Sequence, residues 1–269
     1  MPESRPPVNG AKSGATNGAG AAAPSLPILY RSLEVLAPER HARLRVREAG
    51  YAFAAGASAI PLMAEEFPVA ARSLPIVFAA QPPHLPVALT GLVPGRSVFV
   101  TAAGQWRPGA YVPAYLRRFP FLLVRTGPET EERVLCVEPR APQLSETEGA
   151  PLFDAAGQPT PQLRHVLGFA RAVEEGSLRT RAMTERLHQL GLLKPAMLQV
   201  SRPGGPLRID GFFAVDRPGL AALPAEAFLG LRAHGWLEAI HAHLLSLAGV
   251  AELARGLDRS APGGLHRRM

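Results

Sequence analysis

The sequence YVPAYLRRFPFLLVR, from Tyr111 to Arg125, decides the fold because helix and strand signals meet in it. Pro113 can open a helix, and Pro120 should end it at Phe119, which leaves room for about two turns. The apolar run from Phe121 to Val124 follows directly and predicts a strand. A short helix therefore leads straight into a sheet, near the middle of the chain.

Short apolar runs separated by turn signals precede this stretch and predict a mainly antiparallel sheet. They lie at Leu26 to Leu36, Pro75 to Ala80, Val87 to Leu92 and Ser97 to Thr101. From His41 to Arg47 basic and apolar side chains alternate strictly, which predicts a strand with one basic face. That face either binds an anion or is the solvated face of an edge strand. Leu62 to Phe67 predict a short helix that Pro68 ends or kinks, with Glu65 and Glu66 on a solvated face.

Helix signals dominate after the central stretch and its following strand, Arg133 to Val137. Thr160 is a good N-cap and Pro161 a good first residue for a long helix that Gly191 ends. Gly176 and Ser177 are expected to bend or divide it. A hairpin of Met197 to Val200 with Leu207 to Val215 comes next, and then a helical region from Pro224 to Leu253 with a break near Gly235. The order predicts an α+β fold, with an antiparallel sheet from the N-terminal half packed on helices from the C-terminal half.

Composition divides the 269 residues into three parts. Residues 1–25 are rich in Ala, Gly, Pro and Ser and predict a disordered tail, since they cannot bury enough apolar surface to offset their ordering entropy. Residues 26–254 predict a single globular domain, and residues 255–269 a basic, flexible tail. The two tails carry +1 and +3 of the net charge of +7, which leaves +3 on the domain. That modest charge argues against a nucleic-acid surface.

Several classes of protein are excluded or disfavoured by what the sequence lacks. No stretch approaches the roughly 20 uncharged apolar residues of a membrane helix, and no signal peptide is recognisable, so we expect a cytoplasmic protein with no membrane span. Cys136 is the single cysteine, so no disulfide forms within the chain and a cysteine zinc site is disfavoured. We expect Cys136 to be a buried, inert thiol, and we expect no metal and no cofactor.

No catalytic motif emerges, and a protein without enzymatic activity is favoured. The candidate ligand-binding residues are aromatic and basic: Tyr111, Tyr115, Arg117, Arg118 and His243. Arginine grips a carboxylate or phosphate through two parallel hydrogen bonds, so these residues in one pocket would suit an acidic ligand. In the alternative interpretation the two arginines pair with acids of the domain, such as Glu65, Glu66 or Asp154, and stabilise the fold.

From about Leu26 to Leu253 the chain resembles the SapC family of bacterial proteins. The resemblance is carried by ERHARLRVR (Glu39 to Arg47), YAFAAG (Tyr51 to Gly56), IPLMAEEFPVAARSLPIVF (Ile60 to Phe78), PVALTGL (Pro86 to Leu92), YVPAYLRRFPF (Tyr111 to Phe121), EGAPLFDAAGQPT (Glu148 to Thr160), DGFFAVD (Asp210 to Asp216) and HAHLLSL (His241 to Leu247). The family name is tied to the paracrystalline surface layer of a bacterial pathogen. No established catalytic residues come with it.

Two kinds of function follow from these observations. The resemblance implies a non-catalytic binding or assembly protein connected with the bacterial cell surface, with a protein or peptide partner of acidic character. The second hypothesis is a cytoplasmic enzyme or accessory protein that acts on a peptide or small molecule in a pocket formed by the candidate residues. A deep pocket joining these residues would favour the second hypothesis, and a flat apolar patch the first.

Overall fold

The computed structural model of the chain describes residues 26–127, 130–201 and 205–259. The predicted tail of residues 1–25 lies outside the described residues. The strands are β1 (Glu34–Val35), β2 (Arg45–Val46), β3 (Ala59–Pro61), β4 (Ile76–Ala79), β5 (Pro86–Leu89), β6 (Phe121–Arg125), β7 (Arg133–Val137), β8 (Leu144–Ser145), β9 (Ala150–Pro151), β10 (Leu193–Val200) and β11 (Leu207–Val215). The α-helices are α1 (Pro38–His41), α2 (Phe67–Ala70), α3 (Ala114–Arg117), α4 (Pro161–Gln189), α5 (Arg217–Ala221), α6 (Ala225–Ala233), α7 (Trp236–Ser246) and α8 (Val250–Arg259). Turns of 3-10 helix cover Ala52–Ala54, Ala64–Glu66 and Leu247–Gly249.

The strands form antiparallel sheets, as the sequence predicts. The largest has the order β10-β11-β4-β5-β3, and two smaller sheets have the orders β1-β7-β6 and β8-β2-β9. Within the largest sheet, the predicted hairpin of β10 and β11 joins strands from the N-terminal half through β4. The α+β architecture, with sheets mostly from the N-terminal half and helices mostly from the C-terminal half, is confirmed.

The long helix α4 contributes side chains to two of the three apolar cores formed by the described residues. Met183 and Leu187, from its second half, are fully buried in the main core against the five-stranded sheet. Leu163 and Ala170, from its first half, pack in a second core with Phe121 of β6. Each fully buried aliphatic or aromatic side chain contributes about 1.5–3 kcal/mol. The helix therefore connects these two cores.

The ends of α4 follow the sequence signals closely. The Thr160 hydroxyl accepts a hydrogen bond from the Leu163 amide, and Gly191 adopts a positive φ of 65° just past the helix. The predicted division at Gly176 is wrong, because the helix is continuous. The glycine instead permits close packing, since a Cβ there would lie 2.5 Å from the sulfur of Met63.

The predicted first strand, Leu26 to Leu36, is wrong except for the two residues of β1. The reason is a buried carboxylate, Glu138, which accepts hydrogen bonds from the backbone N–H groups of Arg31 and Ser32 at 2.6 and 3.0 Å. Those amides are therefore not available to a neighbouring strand. The bonds also outweigh the effect of burial, which opposes ionisation, and hold the pKa of Glu138 below its ordinary value.

The predicted basic strand, His41 to Arg47, is also reduced to a two-residue strand, because Pro38 opens the helical turn α1 just before it. β2 lies in the middle of its sheet and not at an edge. Arg43 pairs with Glu146 at 2.7 Å, and Arg47 pairs with Glu148 at the same distance. Arg43 and Arg47 thus have acidic partners, and Arg45 donates to the Gly149 carbonyl at 2.9 Å.

Three smaller predictions are also corrected. Ser97 to Thr101 is not a strand, because its bonds go to separate places: the Val98 amide bonds to Thr90, and Val100 bridges to Trp106. Pro68 does not end a helix but lies in the first turn of α2. The domain extends beyond residue 254, since α8 runs to Arg259 and buries Val250, Leu253, Ala254 and Leu257 at helical spacing.

The helical segment Trp236–Leu257 is long and apolar enough to cross a membrane by composition. Its apolar window is 44% buried inside the fold. Core helices of other proteins have the same composition, so this is weak evidence for a span. The prediction that no stretch resembles a membrane helix is nevertheless too strong.

Candidate functional site

The central stretch forms one helical turn, α3, shorter than the two turns expected. Pro113 is its N-cap residue, and the helix ends at Arg117. Tyr115 and Phe119 are buried, as the four-residue spacing predicts. Arg117 is exposed and Arg118 is half-buried.

A buried carboxylate, Glu66, holds the start of this stretch in place. Its Oε1 accepts hydrogen bonds from the Tyr111 hydroxyl at 2.8 Å and from the Ala114 amide at 2.7 Å, and its Oε2 accepts one from the Met63 amide at 2.9 Å. Arg117 then donates from Nη2 to the Tyr111 hydroxyl at 3.2 Å. The arginine therefore reaches this carboxylate through the tyrosine, and the predicted pairing of Arg117 with Glu66 is indirect.

The Tyr111 hydroxyl is locked in its protonated form by this arrangement. Burial and the adjacent Glu66 carboxylate raise the pKa of Tyr111 to about 12, and Arg117 opposes the shift. At neutral pH the hydroxyl donates to Glu66 and accepts from Arg117. The hydroxyl therefore links Arg117 to Glu66 through hydrogen bonds, and its pKa is too high for it to act as a general acid at neutral pH.

Arg118 lies over the ring of Tyr115 and keeps a donor without an acceptor among the described residues. Its guanidinium carbon is 4.3 Å from the centre of the Tyr115 ring. Its Nε is buried and has no hydrogen-bond partner among the described residues. The Tyr115 hydroxyl donates to the Ile28 carbonyl at 2.7 Å, and it also interacts with Arg118, which opposes the rise that burial causes in its pKa.

Arg117 and Arg118 line the same cleft, which has a volume of about 230 Å³ and lies between α3, α4 and β2. Its polar lining carries cationic or neutral groups only, and the rest is apolar. The residues are Val46, Arg117, Arg118, Phe119, Phe121, Gln162, His165, Val166, Phe169 and Ala170. The guanidinium of Arg117 lies 5.2 Å from the centre of the Phe169 ring. Among the described residues no carboxylate forms an ion pair with either arginine, so the cleft has a net positive charge.

His243 does not belong to this cleft. It is fully buried in the main core, where its Nε2 accepts from the Val215 amide at 3.1 Å and its Nδ1 donates to the Ile76 carbonyl at 2.8 Å. Burial lowers its pKa to about 4, the bond to Ile76 opposes this, and Arg217 adds to it. His243 joins α7 to β4 and β11 and is structural.

The five candidate residues therefore do not share one pocket. Arg117 and Arg118 line the cleft, and the Tyr111 hydroxyl orients Arg117 by accepting a hydrogen bond from it. Tyr115 lines a separate cavity of about 70 Å³. Two of the acids considered as partners of these arginines are bound to other groups. Glu65 pairs with Arg179 at 2.6 Å, and Asp154 binds backbone amides of its own turn.

Sequence reasoning missed the contributions of Glu66 and of α4. The prediction of a solvated face for Glu66 is wrong, because its partners come from a stretch 45 to 48 residues away. Gln162, His165 and Phe169 lie at intervals of three and four residues on α4, and this helical spacing was the available signal. Nothing in the sequence indicates that this face of α4 meets α3.

No group of three or more His, Cys, Asp or Glu side chains in the described ranges is placed to hold a metal ion. Cys136 is buried, and burial raises the pKa of its thiol, which suits an inert residue. The expectation of no metal and no cofactor stays a prediction.

Comparison with known proteins gives one match. The model of the SapC family matches residues 36–253, which is most of the chain. No curated protein matches, and no solved structure matches. The match covers every element from α1 to α7, including the cleft. The chain therefore belongs to the SapC family.

Proposed function

We propose that this SapC-family chain is a non-catalytic binding protein that takes an acidic group of a protein or peptide partner in the cleft between α3 and α4. The observation that carries the proposal is the pair Arg117 and Arg118, which line one cleft and have no carboxylate partner among the described residues. Two arginines that flank β2, Arg43 and Arg47, are by contrast paired with acids of the domain. An arginine pair that no described carboxylate contacts directly is suited to an acid supplied from outside.

The way in which Arg117 is held supports a binding role. Its Nε donates to the Val112 carbonyl at 3.1 Å and its Nη2 to Tyr111, so the guanidinium is oriented before any partner arrives. A group fixed in advance loses little side-chain entropy on binding, and its affinity is correspondingly higher. The buried Glu66 network therefore serves to position Arg117.

The resemblance to a surface-layer-associated family supports the further proposal that the partner belongs to the bacterial cell surface. The route by which the chain would reach that surface is a separate question for cell fractionation. The alternative function is a cytoplasmic enzyme or accessory protein acting on a peptide or small molecule. It is less well supported, since His243 and the arginines are in different parts of the fold.

The experiment is capture of partners from fractionated native cells, comparing the wild-type protein with Arg117→Ala/Arg118→Ala. Arg171→Ala is the control, because Arg171 is exposed on α4 and does not line the cleft. We expect a partner that the wild-type protein and Arg171→Ala retain and the double variant loses. A folded double variant that retains every partner would contradict the proposal.

A further inference from the structure

We propose that the cleft binds the carboxyl-terminal residue of a polypeptide, with its free carboxylate on Arg117 and Arg118 and an apolar side chain against Phe169. The inference rests on the proposed function, since it names the acidic group that the same cleft takes. It distinguishes a chain terminus from an internal acidic residue and from a phosphate group.

The two arginines supply the charge and the donors for a carboxylate. Arg117 uses Nε and Nη2 within the protein, and no described bond engages its Nη1. Arg118 has a buried Nε without an acceptor. Buried donors are almost always satisfied in folded proteins, and a carboxylate held by Arg118 in the cleft would supply an acceptor for this one. A carboxylate has two oxygens, which suits two guanidinium groups.

A simple anion bound to the arginines would leave the apolar wall of the cleft uncovered. Phe169 and Val166 are half-buried, and Phe121 and Ala170 lie behind them with 4% and 5% exposure. An aliphatic or aromatic side chain that covers Phe169 and Val166 removes their remaining apolar surface from water, which is favourable. A phosphate ion has nothing to place against this wall.

The size of the cleft and the side-chain amide of Gln162 both suit the terminal residue of a polypeptide. The cleft volume of about 230 Å³ is below the roughly 300–1,000 Å³ of sites for drug-sized ligands, so about one residue fits. A terminal residue has a single peptide neighbour, so the rest of the polypeptide needs only one path out, through the mouth of the cleft. Gln162 lines the cleft, and its side-chain amide both donates and accepts, as the last peptide group requires.

The test uses three small probes: N-acetyl-L-phenylalanine, its amide, and inorganic phosphate. Each is titrated into ¹⁵N-labelled full-length protein, and NMR follows the backbone amides and the arginine Nε–Hε signals. We expect N-acetyl-L-phenylalanine to bind, to shift the Arg118 Nε–Hε signal, and to bind about tenfold or more tightly than the amide.

Variants separate the carboxylate from the apolar contact. Arg118→Lys keeps a positive charge but removes the guanidinium with its Nε donor, so binding of N-acetyl-L-phenylalanine should weaken about tenfold. Phe169→Ala should weaken that probe and leave phosphate unchanged. Arg171→Ala should leave every probe unchanged.

Each outcome decides between the two levels of the proposal. Phosphate binding more tightly than N-acetyl-L-phenylalanine overturns the terminal-residue inference and leaves an acidic ligand in place. Equal binding of the acid and its amide overturns both, because the charge of the ligand then has no effect. If no probe binds up to its solubility limit, the terminal-residue inference fails, and partner capture with the double variant still decides the proposed function.

Discussion

Replacing His243 with leucine should destabilise the protein at neutral pH and remove part of its sensitivity to acid. Leucine keeps an apolar group in the core but leaves the Val215 amide and the Ile76 carbonyl unpaired. Each buried polar group without a partner costs about 1–3 kcal/mol, so the free energy of unfolding should fall by about 2–6 kcal/mol at pH 7.5.

The sign of the pH effect follows from the lowered pKa. The folded protein keeps His243 neutral down to about pH 4, while the unfolded chain takes up a proton below its ordinary value of 6.5. Stability from His243 is therefore complete above pH 6.5 and is lost as the pH falls towards 4. The loss is about 2 kcal/mol at pH 5 and about 3 kcal/mol below pH 4. Other acid-sensitive groups, such as Glu138, remain in the variant and cancel in the comparison.

The assay is urea denaturation of the wild-type protein and His243→Leu at pH 7.5 and pH 5, followed by circular dichroism. The difference between the two unfolding free energies should narrow by about 2 kcal/mol at the lower pH. His241→Leu is the control, since His241 is exposed on the same helix and should change stability by less than about 0.5 kcal/mol. A difference that stays constant with pH, or no difference at pH 7.5, would refute a buried neutral histidine.

Three further predictions concern the support of the cleft and the ends of the chain. Glu66→Gln should lower the free energy of unfolding by about 1–3 kcal/mol, because an amide NH₂ cannot accept the bonds that the carboxylate accepts. Glu65→Gln is the control: it removes a half-exposed pair with Arg179 and should cost less than about 1 kcal/mol. Equal effects of the two substitutions in denaturation experiments would contradict the structural role of Glu66. Deletion of residues 1–25 should leave the melting temperature unchanged, and a clear decrease would show that the segment is packed. Elemental analysis of untagged protein should find no stoichiometric zinc, iron or copper, and one tightly held equivalent would prove the prediction wrong.

Local signals explain the elements that the sequence predicts well. The strand Arg133 to Val137 and the start of α4 at Pro161 are set by residues within or next to each element. Thr160 caps its own helix, and Gly191 ends it, so each depends on neighbours a few residues away.

The predictions that failed depend on contacts between distant parts of the chain. Residues 26 to 36 are apolar enough for a strand, but Glu138, more than 100 residues away, binds the amides of Arg31 and Ser32. Glu66 looks like a surface residue until the Tyr111 hydroxyl and the Ala114 amide at the start of α3 donate to it. His243 has no local feature that distinguishes a core histidine from a ligand-binding one. The grouping of the two arginines on one cleft likewise depends on α4, which packs beside α3.

We propose that Arg117 and Arg118 bind an acidic partner and are not needed for the fold. The most direct measurement is the dissociation constant of the captured partner for the wild-type protein, Arg117→Ala, Arg118→Ala and Arg171→Ala, with the melting temperature of each. We expect the fold to be retained and the binding free energy to weaken by about 2–5 kcal/mol where the charge pair is desolvated, with Arg171→Ala unchanged. If the melting temperature falls and binding falls only in proportion, the arginines are structural. If both cleft variants are stable and bind the partner as the wild-type protein does, the account is contradicted.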